Sequence, residues 1–188
     1  MMAKTEREKM LANELYLASD PELRRMYWAA QELLYRFNTA LPGEEAVRQE
    51  VLRSLLGAVG QNCQIMPSFR CDYGCHIFMG DQVFLNYDCV ILDCNEVHIG
   101  NHVLMASKVQ IYTAYHPLEA EVRRSGLEAA APIVIEDDVW IGGGAIVCPG
   151  VTIGKGTTIG AGSVVTKNIP ANVVAVGNPC RVIKTLDG

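Results

Sequence analysis

From Ile135 to Val165 an aliphatic residue returns at every sixth position: Ile135, Ile141, Val147, Ile153, Ile159 and Val165. Four residues after each of the first five comes a small or β-branched side chain, at Val139, Ala145, Val151, Thr157 and Ser163. A period of six matches neither the 3.6-residue turn of a helix nor the two-residue alternation of a lone strand. It fits a coil of short strands in which each flat side advances the chain by six residues and the sixth-position aliphatics stack inward. Gly142, Gly154 and Gly160 directly follow those aliphatics, which predicts turns with φ > 0 at these glycines. Upstream the rule holds in two registers. Met79, Leu85, Ile91 and Val97 form one; Ile99, Met105 and Ile111 form the other, displaced by two residues around Asn95 to His98, as a small insertion at a corner would displace it.

Before the coil the pattern is helical. Asp20 ahead of Pro21 supplies an N-cap and a first-turn proline, and Leu23, Met26, Tyr27, Ala30, Leu34 and Phe37 then fall on one face. Residues 5–18, with Leu11 and Leu15 one turn apart, and residues 44–56, with Val47, Val51 and Leu55, predict two more helices. A solenoid needs its open end covered, so all three are expected to cap the coil, and they are placed to wall one side of a pocket. The expected organisation is a helical cap over 1–57 and a coil over 58–188, the coil carrying an inserted loop at about 112–134 and a C-terminal tail.

At 188 residues, 49% hydrophobic and 20% charged, the chain suits one soluble globular domain. No apolar run approaches the ~20 residues of a bilayer span. The opening "MMAKTEREKM" has no apolar signal core, so a cytoplasmic protein is expected. A net charge of −5 without a Lys/Arg cluster speaks against nucleic acid or an anionic membrane as partner, and leaves room for an anionic small ligand met by a few converging cations. Seven cysteines without a C-x-x-C pair indicate neither a disulfide framework nor a zinc ribbon. Cys71, Cys75, Cys89 and Cys94 have the chemistry for a zinc ion, but three of them alternate with aliphatics and read as small buried thiols.

The six-residue rhythm stops between Ile111 and Ile135, and the interruption, "YTAYHPLEAEVRRSGLEAAAP", holds one His, His116. Taken together, "ASDPEL", "YRFN", "FRCDYG", "NYDCVILD", "AYHP", "VWIGGGAIVCPGVTIG" and "GAGSVVTKNIPANVVAVGNPCRVIK" resemble the maltose/galactoside O-acetyltransferase family of hexapeptide-repeat acyltransferases, over about residues 6–184. Around "FRCDYG" and "NYDCVILD" the likeness is nearer the maltose-type members. The resemblance implies a mainly β fold, a left-handed parallel β-helix with an N-terminal α-helical cap. It also implies acetyl-CoA as co-substrate with no metal, a maltose- or glucose-like sugar as acceptor, and a homotrimer whose sites are shared between neighbours.

Acetyl transfer to an alcohol needs a base, because a neutral hydroxyl is a weak nucleophile whose proton must leave as the new bond forms. Imidazole suits that work, and a segment thrown out of the coil holds it where an acceptor can reach. The resemblance accordingly implies His116 as the base, Asn86 beside the acceptor hydroxyl and thioester, and the Gly143 N–H on the thioester carbonyl. Ala161, Thr166 and Lys167 match positions along the pantetheine arm, and Arg181 and Lys184 match the nucleotide end, with Lys184 standing where some relatives carry Arg. Asp72 and Asp93 are expected to bond sugar hydroxyls, to orient His116 or to stand as solvated turn carboxylates, with Glu128 as another orienting partner. Direct attack is favoured over an acyl-enzyme, since Cys148 has no His beside it in sequence. Several N-terminal positions that contact the acceptor in galactoside-type relatives do not match.

Two readings of other kinds stay open. A metal-dependent hydratase of the carbonic-anhydrase type would place His98, His102 and His116 on a metal, and leaves the C-terminal tail without a role. A non-catalytic scaffold would have no use for His116 in a protruding segment.

Overall fold

The computed structural model describes residues 3–186, so the outermost limits expected for the two segments, 1 and 188, lie outside the described residues. From Ala58 the chain winds through three parallel sheets that form the faces of a prism. The first face holds Ala58–Val59, Ile77–Met79, Val97–Ile99, Ile133–Ile135 and Thr152–Ile153. The second holds Gln64–Ile65, Phe84–Leu85, Leu104–Met105, Trp140–Ile141, Thr158–Ile159 and Val173–Val176, closed by the antiparallel Arg181–Thr185. The third holds Phe69–Cys71, Cys89–Leu92, Gln110–Tyr112, Ile146–Val147 and Val164–Val165.

In-register pairing stacks the sixth-position residues into inward columns. Met79, Ile99, Ile135 and Ile153 form one; Leu85, Met105, Ile141 and Ile159 a second; Ile91, Ile111, Val147 and Val165 a third. All are buried, and each removes about 1.5–3 kcal/mol worth of side chain from water. The two sequence registers are therefore one stack. Ile135 meets Ile153 eighteen residues on, whereas Met79 meets Ile99 after twenty, because the step from Ile91 to Ile99 takes two residues more than the six of a regular side. Every departure, from Cys71 to Met79, Ile91 to Ile99 and Ile111 to Ile135, falls at the corner between the third and first faces.

The glycine expectation needs correcting. Gly142, Gly154 and Gly160 are not in the positive-φ region; a Cβ there would come within 2.5 Å of the Ala161 nitrogen, 2.4 Å of the Ala171 nitrogen and 2.6 Å of Val176 Cγ1. They are glycine because the next coil passes too close for a side chain. Positive φ belongs instead to a column two residues later, where Gly144 and Gly162 align with the non-glycine residues Asp88 and Lys108.

Two helices cover the open end. Helix α2 (Pro21–Thr39), capped by Asp20 as its sequence predicts, sends Ala30, Leu34 and Phe37 into the core, and α3 (Glu45–Leu55) adds Val51, Leu52 and Leu55. The lowest coil also needs partners for its free backbone edge. Asn38 supplies one, donating to the Phe69 carbonyl at 2.9 Å and accepting the Phe69 N–H at 2.8 Å; Gln31 and Gln49 donate to the carbonyls of Cys71 and Cys63.

Helix α1 (Glu6–Leu11) is shorter than expected and does not cap the coil. Asn13 turns the chain with φ of 56°, and Tyr16–Leu17 continues as a strand. Leu15, expected one turn along a buried face, is 43% exposed; Met10 and Tyr16 are buried in its place, packed with Leu23, Tyr73, Cys94 and Ala130 beside the irregular corner. The inserted segment is not an open loop. Ala114–Tyr115 and Leu127–Ala130 pair antiparallel, α4 (Ala120–Arg124) spans the tip, and Tyr16–Leu17 adds a third strand against Leu127–Glu128. Among the described residues no helix is long and apolar enough to cross a membrane.

Candidate active site

The extra residues at the third-to-first corner are held by two buried side chains. Asp93 is fully buried, and its carboxylate accepts backbone N–H groups from Asp72 at 3.0 Å, Tyr73 at 2.9 Å and His76 at 3.3 Å. Burial pushes its carboxyl up to about 6 against the lowering effect of those amides. Asp93 thus shapes the corner and has no face left for a sugar hydroxyl, which corrects the expectation that it contacts substrate. Asn95 does similar work one step on, donating to the carbonyls of Ala130 at 2.7 Å and Met10 at 3.0 Å. It ties corner, hairpin and α1 together, a role no motif in the sequence announces.

Between this corner, the hairpin and α2 lies a cleft of about 440 Å³. Asp72, Tyr73 and Cys94 line it from the coil, Leu23, Arg24, Tyr27 and Trp28 from α2, and His116 and Glu128 from the hairpin. Tyr27, expected on the buried stripe of α2, is 37% exposed and faces this cleft. His116 follows the strand Ala114–Tyr115 and is accessible, its side chain 63% exposed; Nε2 stands 3.9 Å from Oε2 of Glu128, whose side chain is only 16% exposed. Glu128 is fixed because its strand is paired on both sides, with Tyr16–Leu17 and with Ala114–Tyr115. Asp72 accepts the Cys94 thiol at 3.3 Å. Burial is the main force pushing the Asp72 carboxyl up to about 6; the Cys94 hydrogen bond opposes it and the Asp93 and Glu128 charges add to it.

The expected cofactor positions are elsewhere on the prism. Asn86, Gly143 and Ala161 follow strands of the second face and line the corner between the second and third faces. The Asn86 carbonyl oxygen accepts the Tyr87 N–H at 2.8 Å, which leaves its amide NH₂ to donate outward. The N–H groups of Gly142 and Gly144 are taken by Ile159 and Ser107, whereas that of Gly143 has no partner among the described residues. Thr166 and Lys167 follow the third-face strand Val164–Val165, and Lys167 shares a pocket of about 230 Å³ with Arg181. Lys184 is exposed, paired through its backbone with Val174.

One chain therefore unites His116, Glu128 and Asp72 and does not bring Asn86, Gly143 or Ala161 to them. The two groups sit at opposite ends of the third-face strands, roughly 15–20 Å apart at the strand rise of about 3.3 Å per residue.

The three histidines of the hydratase reading do not converge. His98 lies on the first face, stacked on Phe78 and 2.8 Å from Glu96, and His102 occupies a turn with φ of 56° at the next corner. Among the described residues no group of three or more His, Cys, Asp or Glu side chains is placed to hold a metal ion. Cys71, Cys89 and Cys94 are buried free thiols, and burial pushes the Cys148 thiol up, away from a thiolate nucleophile.

Comparison with known proteins adds independent findings. Residues 9–60 match the family described as maltose acetyltransferase hexapeptide capping motif, and residues 132–167 match bacterial transferase hexapeptide (six repeats). The chain is 37% identical over 181 residues to a galactoside O-acetyltransferase of Lactococcus lactis subsp. lactis, covering 96% of this chain and 87% of that one. A maltose O-acetyltransferase crystal structure from Clostridium difficile 630 superposes with a TM-score of 0.97 at 48% identity, covering 100% of both chains. A hexapeptide-repeat acetyltransferase from Vibrio cholerae O1 biovar eltor, crystallised with acetyl coenzyme A, superposes at 0.91 with 37% identity, covering 98% of this chain and 100% of that one.

Proposed function

The chain belongs to the maltose/galactoside O-acetyltransferase family of hexapeptide-repeat acyltransferases, and from that premise we propose that it moves an acetyl group from acetyl-CoA to a hydroxyl of a maltose- or glucose-like sugar. The observation that carries the reading is the accessible His116 held 3.9 Å from a largely sequestered Glu128 over a cleft of acceptor size. The His116 ring nitrogen turned away from Glu128 takes the hydroxyl proton as the oxygen attacks the thioester carbonyl. Glu128 offsets the imidazolium charge that forms. The tetrahedral oxyanion collapses, the C–S bond breaks, and the departing coenzyme A thiolate takes the proton from His116.

An oxyanion donor and an amide beside the thioester complete this scheme, and Gly143 and Asn86 have the free N–H groups for it. Because they lie a face away from His116, the complete site forms where the His116 corner of one copy meets the Asn86 corner of the next. A closed ring of three copies repeats that contact three times, so a homotrimer with shared sites is the assembly. Ala161, Thr166 and Lys167 then flank the pantetheine arm, and Arg181 and Lys184 meet the phosphates. Asp72, within the same cleft, is a hydrogen-bonding group for the sugar.

The reading is tested by following thiol release from acetyl-CoA across mono- and disaccharides, thiogalactosides and amines. A sugar hydroxyl should be the preferred acceptor, and an amine preferred over every sugar contradicts the O-acetyl assignment. His116→Ala should lower turnover by on the order of 10²–10⁴, the usual range for general-base catalysis, while acetyl-CoA binding measured by calorimetry stays intact. Turnover near wild type in the folded variant contradicts the role given to His116.

A further inference from the structure

Trp28 is 59% exposed and lines the wall of the cleft, so a large flat aromatic face is open to whatever occupies it. Its neighbour Tyr27 meets it edge to face, with ring centroids 5.3 Å apart at 77°, so the tyrosine props the indole while leaving it open. Arg24 precedes Trp28 by one helical turn and lines the same wall. The helix that carries them is anchored by the Asp20 cap and the fully buried Leu23, so the platform is rigid. A flat apolar surface beside a fork of N–H donors matches a pyranose ring, whose C–H face stacks on the indole while its hydroxyls accept from the guanidinium. The cleft is continuous from this platform to His116, and its volume of about 440 Å³ is more than a single hexose fills.

We propose that Trp28, with Tyr27 and Arg24, forms a second acceptor subsite that holds the sugar ring one glycosidic bond away from the ring receiving the acetyl group. This rests on the acetyl-transfer reading above and adds to it a preference for acceptors longer than one ring. Trp28 is a specificity determinant here; it touches no reacting atom.

The test compares maltose with glucose. Trp28→Ala should lower the maltose-over-glucose preference in kcat/KM on the order of three- to tenfold, through the maltose KM, and Trp28→Phe should restore most of it. An unchanged preference, equal losses on both sugars, or an altered assembly state in light scattering overturns the subsite. A second readout needs no turnover. The chain has two tryptophans, so in a Trp140→Phe protein excited where tyrosine does not absorb the emission comes from Trp28, and maltose should perturb it saturably while glucose does so weakly. No response to maltose overturns the subsite even if sugars are acetylated. A maltose response in a protein that acetylates no sugar supports the subsite and removes the acetyl-transfer reading instead.

Discussion

Among single residues, the two aspartates of "FRCDYG" and "NYDCVILD" divide the labour. Their sequence setting suggests one role for both, and burial separates them: Asp93 is consumed by three backbone N–H groups, whereas Asp72 reaches the cleft. Asp72 carries a measurable signature. Its carboxyl is pushed from 3.8 to about 6, chiefly by burial, so the folded state holds this proton more tightly than the unfolded chain. Its stabilising contribution is therefore complete below about pH 4 and is lost as pH rises through about 6. Asp72→Asn, which cannot ionise, should gain stability relative to wild type across that window, by about 1–3 kcal/mol from pH 4 to 7. Thermal melts at a series of pH values check this, and a difference independent of pH contradicts the burial of the carboxyl. The exposed place of His116 outside the coil is legible from the break in the repeat; the corner contacts of Asp93 and Asn95 are not, because a residue that bonds backbone groups of a distant turn leaves no local pattern.

Secondary-structure elements were legible in proportion to their regularity. Six-residue repetition specified the stacked strands, and Asp20-Pro21 specified the start of α2, since both signals are local. Leu11 and Leu15 imitate helical spacing and so predict one long N-terminal helix, whereas the strand Tyr16–Leu17 is decided by a partner more than a hundred residues away. The hairpin hid for the same reason. The positions of Gly142, Gly154 and Gly160 stand out in the repeat, but the reason for them does not, since closeness between coils is a property of the stack. That cause predicts unequal costs two residues apart. Gly142→Ala puts a Cβ 2.5 Å from the Ala161 nitrogen and should cost about 2–3 kcal/mol in denaturant unfolding. Gly144→Asn enters open space at φ of 68°, a conformation asparagine tolerates, and should cost less than about 1 kcal/mol. Equal costs contradict the close-approach argument.

For the whole molecule, the prism places the corner that carries His116 and the corner that carries Asn86 and Gly143 on different edges, and no rearrangement within one in-register stack moves an edge. The sequence could name the residues of both edges through the family's motifs, but only the winding order shows that one chain cannot unite them. The most direct measurement therefore mixes two dead proteins. His116→Ala and Asn86→Ala variants are each expected to have lost nearly all acetyl-CoA thiol release with a sugar acceptor. Dissociated and reassembled together, they should recover about a quarter of wild-type activity at equal proportions, because a random pairing joins an intact His116 to an intact Asn86 in about one site in four. Mixed assemblies, verified by mass, that remain as inactive as either parent contradict the shared site and the mechanism built on it.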